Sequence, residues 1–148
     1  MKLRTFRAED GPELMDLFYN TVHTVNAKDY TEEQLNAWAP KNRDVNLWTQ
    51  SLLEHYTVVA EEGGIITGFG DLQLPGYLDR LYVHAAYQGR GIGSAICDQL
   101  EAAASGPVTT HASITARPFF EARGYRVIRQ QTVGRSGVTM TNFVMVKE

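Results

Sequence analysis

The stretch Tyr87-Gln88-Gly89-Arg90-Gly91-Ile92-Gly93-Ser94 decides how the rest of the chain is read. Upstream of it, Tyr77 to His84 has the aromatic and β-branched content of a strand. Downstream, Ile92, Ile96, Leu100 and Ala103 recur at helical spacing. Alternating glycines at this junction let backbone N–H groups converge without Cβ obstruction. The helix N-terminus adds unpaired donors and a partial positive charge. The combination is a cradle for an anion, phosphate above all, which Arg90 and the Ser94 hydroxyl can supplement. A tight strand-to-helix turn would account for one such glycine; three with an arginine between them favour the cradle.

Two well-known phosphate loops do not fit. A P-loop needs a lysine after its last glycine, and the chain has no lysine between Lys41 and Lys147. A dinucleotide fingerprint needs a third glycine where Ser94 stands, and an acidic residue at the end of the next strand, where Thr110, His111 and Ala112 stand.

Working outward, Leu3 to Arg7 reads as a first strand. Asp10-Gly-Pro-Glu13 reads as a helix start with Asp10 as N-cap, and Leu14, Leu17, Phe18, Thr21, Val22 and Val25 form the stripe behind it. Thr31-Glu-Glu-Gln34 is a capping box for a short helix that Pro40 ends, and Val45 to Leu53 reads as another helix. Tyr56 to Ala60 and Ile65 to Leu74 form a hairpin around Glu61-Glu-Gly-Gly64, and Tyr77 to His84 follows. After the helix come a strand at Val108 to Ala112 and a short helix from Ala116 closed by Gly124. Two last strands, Tyr125–Val133 and Val138–Val146, are joined by Gly134-Arg-Ser-Gly137. The strand–helix–strand unit from Tyr77 to Ala112 requires a parallel crossover, whereas the hairpins are antiparallel. The expected fold class is α+β, with a mixed, mostly antiparallel sheet of six to seven strands flanked by helices.

Composition sets the outer bounds. The 148 residues suit one domain, 1–148, and the charge of −3 disfavours a nucleic-acid partner. No apolar run is long enough for a membrane helix. The single cysteine, Cys97, and the start Met1-Lys-Leu-Arg-Thr5 lead to the expectation of a reducing cytoplasm. The four histidines show no metal-ligand spacing, so no metal is expected.

Gln88-Gly-Arg-Gly-Ile-Gly93 fits the pattern Gln/Arg-x-x-Gly-x-Gly/Ala, and here the sequence resembles the GNAT superfamily of acetyl-CoA-dependent N-acetyltransferases. Leu78-Asp-Arg-Leu-Tyr-Val-His84 is similar to that family's fourth strand, and Ala116-Arg-Pro-Phe-Phe-Glu-Ala-Arg-Gly-Tyr125 to its later motif. The resemblance covers nearly the whole chain and implies a GNAT-like sheet with a splayed pair of parallel strands.

The resemblance implies acetyl-CoA as cofactor. Its pyrophosphate would rest on Gln88, Gly89, Arg90, Gly91, Gly93 and Ser94, and its pantetheine beside Leu81, Tyr82 and Val83. Ser113 stands where the family often has asparagine, and Phe120 where many members carry the tyrosine that protonates the leaving thiolate. Tyr82 or Tyr125, water, or unassisted departure are the substitutes. Tyr77 takes the place of some members' glutamate base, and Asp79, two residues on, is the preferred base. An ion pair with Arg80 or Arg126 is the competing reading of Asp79. The implied reaction is direct attack by a primary amine of a small molecule, with His23, Tyr30, Trp38 and Tyr77 on the acceptor side and Trp38 and Trp48 as candidate aromatic walls or core anchors. The alternatives are a CoA-binding module with little catalysis, or acetylation of a protein or peptide amine. The two C-terminal strands leave room for a homodimer.

Overall fold

The computed structural model describes residues 1–148. The strands are β1 (Lys2–Thr5), β2 (Tyr56–Glu62), β3 (Ile65–Gln73), β4 (Tyr77–Val83), β5 (Val108–Ser113), β6 (Arg126–Arg135) and β7 (Val138–Lys147). The helices are α1 (Gly11–Thr24), α2 (Glu32–Trp38), α3 (Val45–Leu53), α4 (Ile92–Ala103) and α5 (Arg117–Ala122). The strands form one seven-stranded sheet in the order β1-β2-β3-β4-β5-β7-β6. Every pairing is antiparallel except β4 with β5.

Helices cover both faces, and β2 shows how period-two alternation divides the core. Val59 packs with Leu14, Phe18, Trp48 and Leu52 of α1 and α3. Its neighbours Val58 and Ala60 pack on the opposite side with Ile96 and Leu100 of α4. The Thr31 capping box forms as read, Thr31 Oγ1 accepting from Gln34 N at 3.2 Å and Gln34 Oε1 from Thr31 N at 2.9 Å.

Three local expectations need correction. Asp10 does not cap α1 through its side chain. Its carboxylate instead accepts from Arg4 at 2.8 and 2.9 Å and from the Arg7 amide at 2.9 Å, because Asp10 is itself helical in backbone (φ −77°, ψ −15°) and its side chain turns back to the preceding turn rather than to the first amides of α1. The first strand ends at Thr5 rather than Arg7, and the last hairpin turns at Ser136-Gly137, with β6 continuing through Arg135.

Two irregularities in β4 shape the molecule's working region. Arg80 pairs with Asp71 and Leu78 with Leu72, so Asp79 is an extra residue opposite a single step of β3. The bulge reverses the alternation. Leu78 belongs to the α4 side with Leu81 and Val83, while Tyr82 turns to the α1 side against Phe18 and Phe69. In addition, β4 and β5 pair only at Tyr77–Thr109 and Leu78–Thr110. Thr110 Oγ1 donates to the Leu78 carbonyl at 2.9 Å at the last paired step, and beyond it the strands separate.

Candidate active site

A cleft of about 460 Å³ fills the fork between β4 and β5. Its walls come from Leu81, Tyr82 and Val83 on one side and Ala112, Ser113 and Phe120 on the other. One end is the glycine bend. Gly89 and Gly91 have φ of +74° and +79°, the left-handed region that only glycine enters freely, and a Cβ on either would meet nothing within 4 Å. The bend therefore presents open backbone at the start of the twelve-residue helix α4. The Gln88 side chain donates to the Val83 carbonyl at 2.6 Å and ties the bend to the end of β4.

A second cavity of about 120 Å³ adjoins the first. Trp38, Asp79, Tyr82, His111 and Ser113 border both, so the junction of the two spaces carries the titratable groups. Burial pushes the Tyr82 phenol up, so Tyr82 holds its proton across the neutral range. Burial likewise raises Tyr77, to about 12, and lowers His111, whose ring meets Tyr77 edge-on at 5.3 Å.

Behind Asp79 lies a network that joins α3, β3 and β4. His55 Nδ1 is 2.8 Å from Asp71 Oδ2 and 3.8 Å from Asp79 Oδ2. Arg80 reaches Asp79 at 3.4 Å and Asp71 at 3.7 Å, donates to Ser51 Oγ at 3.0 Å and lies 5.0 Å over the Trp48 ring. Asp71 is fully buried; burial pushes its carboxyl up, while Arg80 and His55 pull it down. The competing reading of Asp79 as the partner of Arg80 is thus present, and Asp79 still borders both cavities.

The bend, the fork and the junction hold most of the residues read from the sequence. Leu81, Tyr82, Val83, Gln88, Gly89, Gly91, Gly93, Ser94, Ser113 and Phe120 all border the main cleft, and Tyr77, Tyr30 and Trp38 border the smaller cavity. Several residues sit differently. The Arg90 side chain turns away from the cleft, over the Tyr87 ring at 4.9 Å and 3.8 Å from Glu62. His23 is outside both cavities; it stacks on Tyr19 at 4.2 Å and bonds the Ala39 carbonyl at 2.9 Å. Trp48 is a core anchor, 3% exposed, donating to the Gly11 carbonyl. Tyr125 is tied to Glu101 Oε2 at 2.8 Å on the α4 side, which leaves Tyr82 as the phenol of the two at the cleft.

Tyr30 acts as a latch as well as a wall. Its hydroxyl donates to the Thr141 carbonyl at 2.8 Å and accepts from Ile114 N at 2.9 Å. Thr115 donates to Asp29 at 2.7 Å. The α1–α2 connection is thereby pinned across the end of β5. Sequence reading missed His55, Asp71, His111 and Asn26. The two histidines look isolated along the chain, and only the sheet register brings His55 to Asp71. The polar choice of Asp71 inside the apolar run of β3 was the available signal.

A model of the acetyltransferase (GNAT) domain family matches residues 26–147. The chain is 32% identical over 145 residues to the uncharacterized N-acetyltransferase YafP of Escherichia coli (strain K12), spanning 98% of this chain and 94% of that protein. The crystal structure of a GCN5-related N-acetyltransferase of Rhodopseudomonas palustris, also named Aminotransferase, Class-II, matches with a TM-score of 0.95 at 34% identity over 99% of this chain and 94% of that one. The PaiA N-acetyltransferase of Thermoplasma acidophilum, solved in complex with coenzyme A, matches with a TM-score of 0.78 over 99% of this chain and 98% of that one; at 16% identity this likeness is one of fold alone. The chain belongs to the GNAT superfamily of acetyl-CoA-dependent N-acetyltransferases. No helix is long and apolar enough to cross a membrane.

The residues present fit the family's cofactor. The open bend at Gly89 and Gly91 suits a pyrophosphate, and the unpaired reach of β4 beyond Leu78 suits a chain carrying amides.

Proposed function

We propose that this enzyme acetylates a primary amine of a small molecule, with the amine entering from the smaller cavity and reacting at its junction with the cleft. The observation that carries this reading is the shared wall of the two spaces, where Asp79, Tyr82 and His111 converge. The latched α1–α2 connection supports a small acceptor over a peptide, because Tyr30, Asp29 and Asn26 close the side on which an extended chain would lie.

When bound, acetyl-CoA supplies an activated acetyl thioester. Gln88 through Ser94 would hold the phosphates by backbone N–H groups, and the backbone of Leu81 to Val83 would orient the thioester end and offer N–H donors to its carbonyl. Asp79 is placed to take the proton that an ammonium must lose, since an amine with a pKa near 10.4 is almost wholly charged at neutral pH. His55 and Arg80 hold the Asp79 carboxylate from behind. Tyr82 borders the junction and is the phenol that could hydrogen-bond the departing sulfur, a role that Phe120 cannot fill.

Purified protein with acetyl-CoA and a panel of amines, followed by thiol release, tests the reading. Turnover on small amines with none on peptides is expected. Turnover on peptides alone would overturn the acceptor class, and coenzyme A binding without turnover on any amine would favour a binding role.

A further inference from the structure

The smaller cavity carries charges of both signs. Asp79 borders it at the junction, and so does Arg135, from the end of β6. Arg135 forms no ion pair, hydrogen bond or ring contact through its side chain, in contrast to Arg80, Arg117 or Arg123. Asn142 borders the same space, and its Oδ1 is buried without a hydrogen-bond partner. Arg43 stands 5.2 Å over Phe18 and 5.1 Å over Trp48, on the ring that also carries Arg80. It has no acidic partner either. Partial burial, and next the charge of Arg80, push its guanidinium down, with Tyr82 opposing and Arg135 adding a smaller push. Three guanidinium groups therefore converge on the Tyr82 side of the sheet, and the two carboxylates there, Asp71 and Asp79, are already engaged by Arg80 and His55. Arg43 and Arg135 are exposed, so water screens their repulsion, and the unpaired Arg135 at the cavity rim is free to meet an anion. An anion alone would meet Asp79, so the occupant needs a cationic end as well. The size of the cavity restricts it to a small molecule.

We propose that the acceptor is a small amine that also carries a carboxylate or phosphate group, an amino-acid-like zwitterion. Its ammonium lies against Asp79 and the free Asn142 Oδ1, and its anionic group lies at Arg135 with Arg43 behind. This rests on the reading that the enzyme acetylates small amines.

The test uses matched acceptors with the acetyl-CoA-loaded enzyme: glycine against glycinamide, β-alanine against β-alaninamide, the other L-amino acids against their amides, and phosphoethanolamine against ethanolamine. Rates are compared per unprotonated amine, because the amides are less basic. In at least one pair, kcat/KM for the anionic acceptor is expected to exceed its neutral partner by about tenfold or more, the size of a charge-assisted contact. The carboxylate and phosphate pairs show which anion is meant. Arg135→Gln should cut that ratio by about tenfold, mainly through KM, and Arg135→Lys should keep most of it. A neutral partner equal or better in every pair, or a ratio that survives Arg135→Gln, overturns the proposal. If no amine is acetylated, the small-amine reading fails. Calorimetric binding of the same pairs to the coenzyme A-loaded protein then decides this one: a preference for the acids that Arg135→Gln abolishes upholds it, and no preference overturns it.

Discussion

His55 Nδ1 lies 2.8 Å from Asp71 Oδ2, linking the turn after α3 to a carboxylate buried in β3. The same nitrogen is 3.8 Å from Asp79. The pair gives the bulged residue a fixed backing, and a bulge otherwise loosens the ladder beside it. His55→Leu is expected to lower kcat by roughly ten- to a hundredfold, the cost of a misplaced reacting group. The KM for acetyl-CoA should stay near the wild-type value. His55→Asn, which keeps a donor near the Nδ1 position, should recover part of the loss. Steady-state kinetics check this split, and equal losses in Asn and Leu variants would show that only packing matters.

Asp79 and Tyr82 serve separate steps in the proposed reaction. Asp79→Asn should reduce kcat by about 10²- to 10⁴-fold while coenzyme A still binds. Tyr82→Phe should reduce it less, by about tenfold, because a thiolate is a tolerable leaving group without help. Wild-type turnover in Asp79→Asn, measured by thiol release, would transfer the base role to His111, which borders the same junction.

Tyr30→Phe removes one donor and one acceptor at the latch. With the Thr141 carbonyl and the Ile114 amide left unpaired, stability should fall by about 1–3 kcal/mol in urea unfolding, with the m-value unchanged. If the acceptor enters as proposed, its KM should rise more than that for acetyl-CoA, since Tyr30 borders the smaller cavity.

Asp10 gives a pH signature distant from the site. Its hydrogen bond from Arg4 holds its carboxyl below the usual carboxylate range, against an opposing effect of burial. A carboxyl lowered on folding adds stability that is complete above its unfolded pKa and disappears as pH falls through the folded one. Asp10→Asn should therefore cost about 1–2 kcal/mol at neutral pH and progressively less in acid. Unfolding curves of both proteins across that range would show the gap closing; a gap that widens in acid would contradict the assignment.

Local chemistry was readable without the fold. The glycines of the bend, the Thr31 capping box and the α4 stripe act over a few residues, so their spacing alone specified a strand, an anion cradle and a helix. That was enough to identify the family and to point to the cleft. The role of Asp10 was not readable, because only the folded backbone decides whether its carboxylate turns to Arg4 or to the first amides of α1.

What the tertiary structure decided lies where distant segments meet. Asp79 being extra in its ladder is a property of β3 and β4 together, and it moves Tyr82 from the face of Leu78 to that of Phe18. Tyr30 and Thr141 are 111 residues apart. His55, Asp71 and Arg80 come from separate segments of the chain, as do Arg43 and Arg135. The sequence by itself determined the class of fold and pointed to an anion cradle, because these depend on periodicity and on glycine geometry; the candidate base followed only from the resemblance to the family. The backing of Asp79, the shape of the smaller cavity and the charges facing it were decided only on folding, when sheet register and helix docking placed ionisable groups within reach of one another around the buried Asp71.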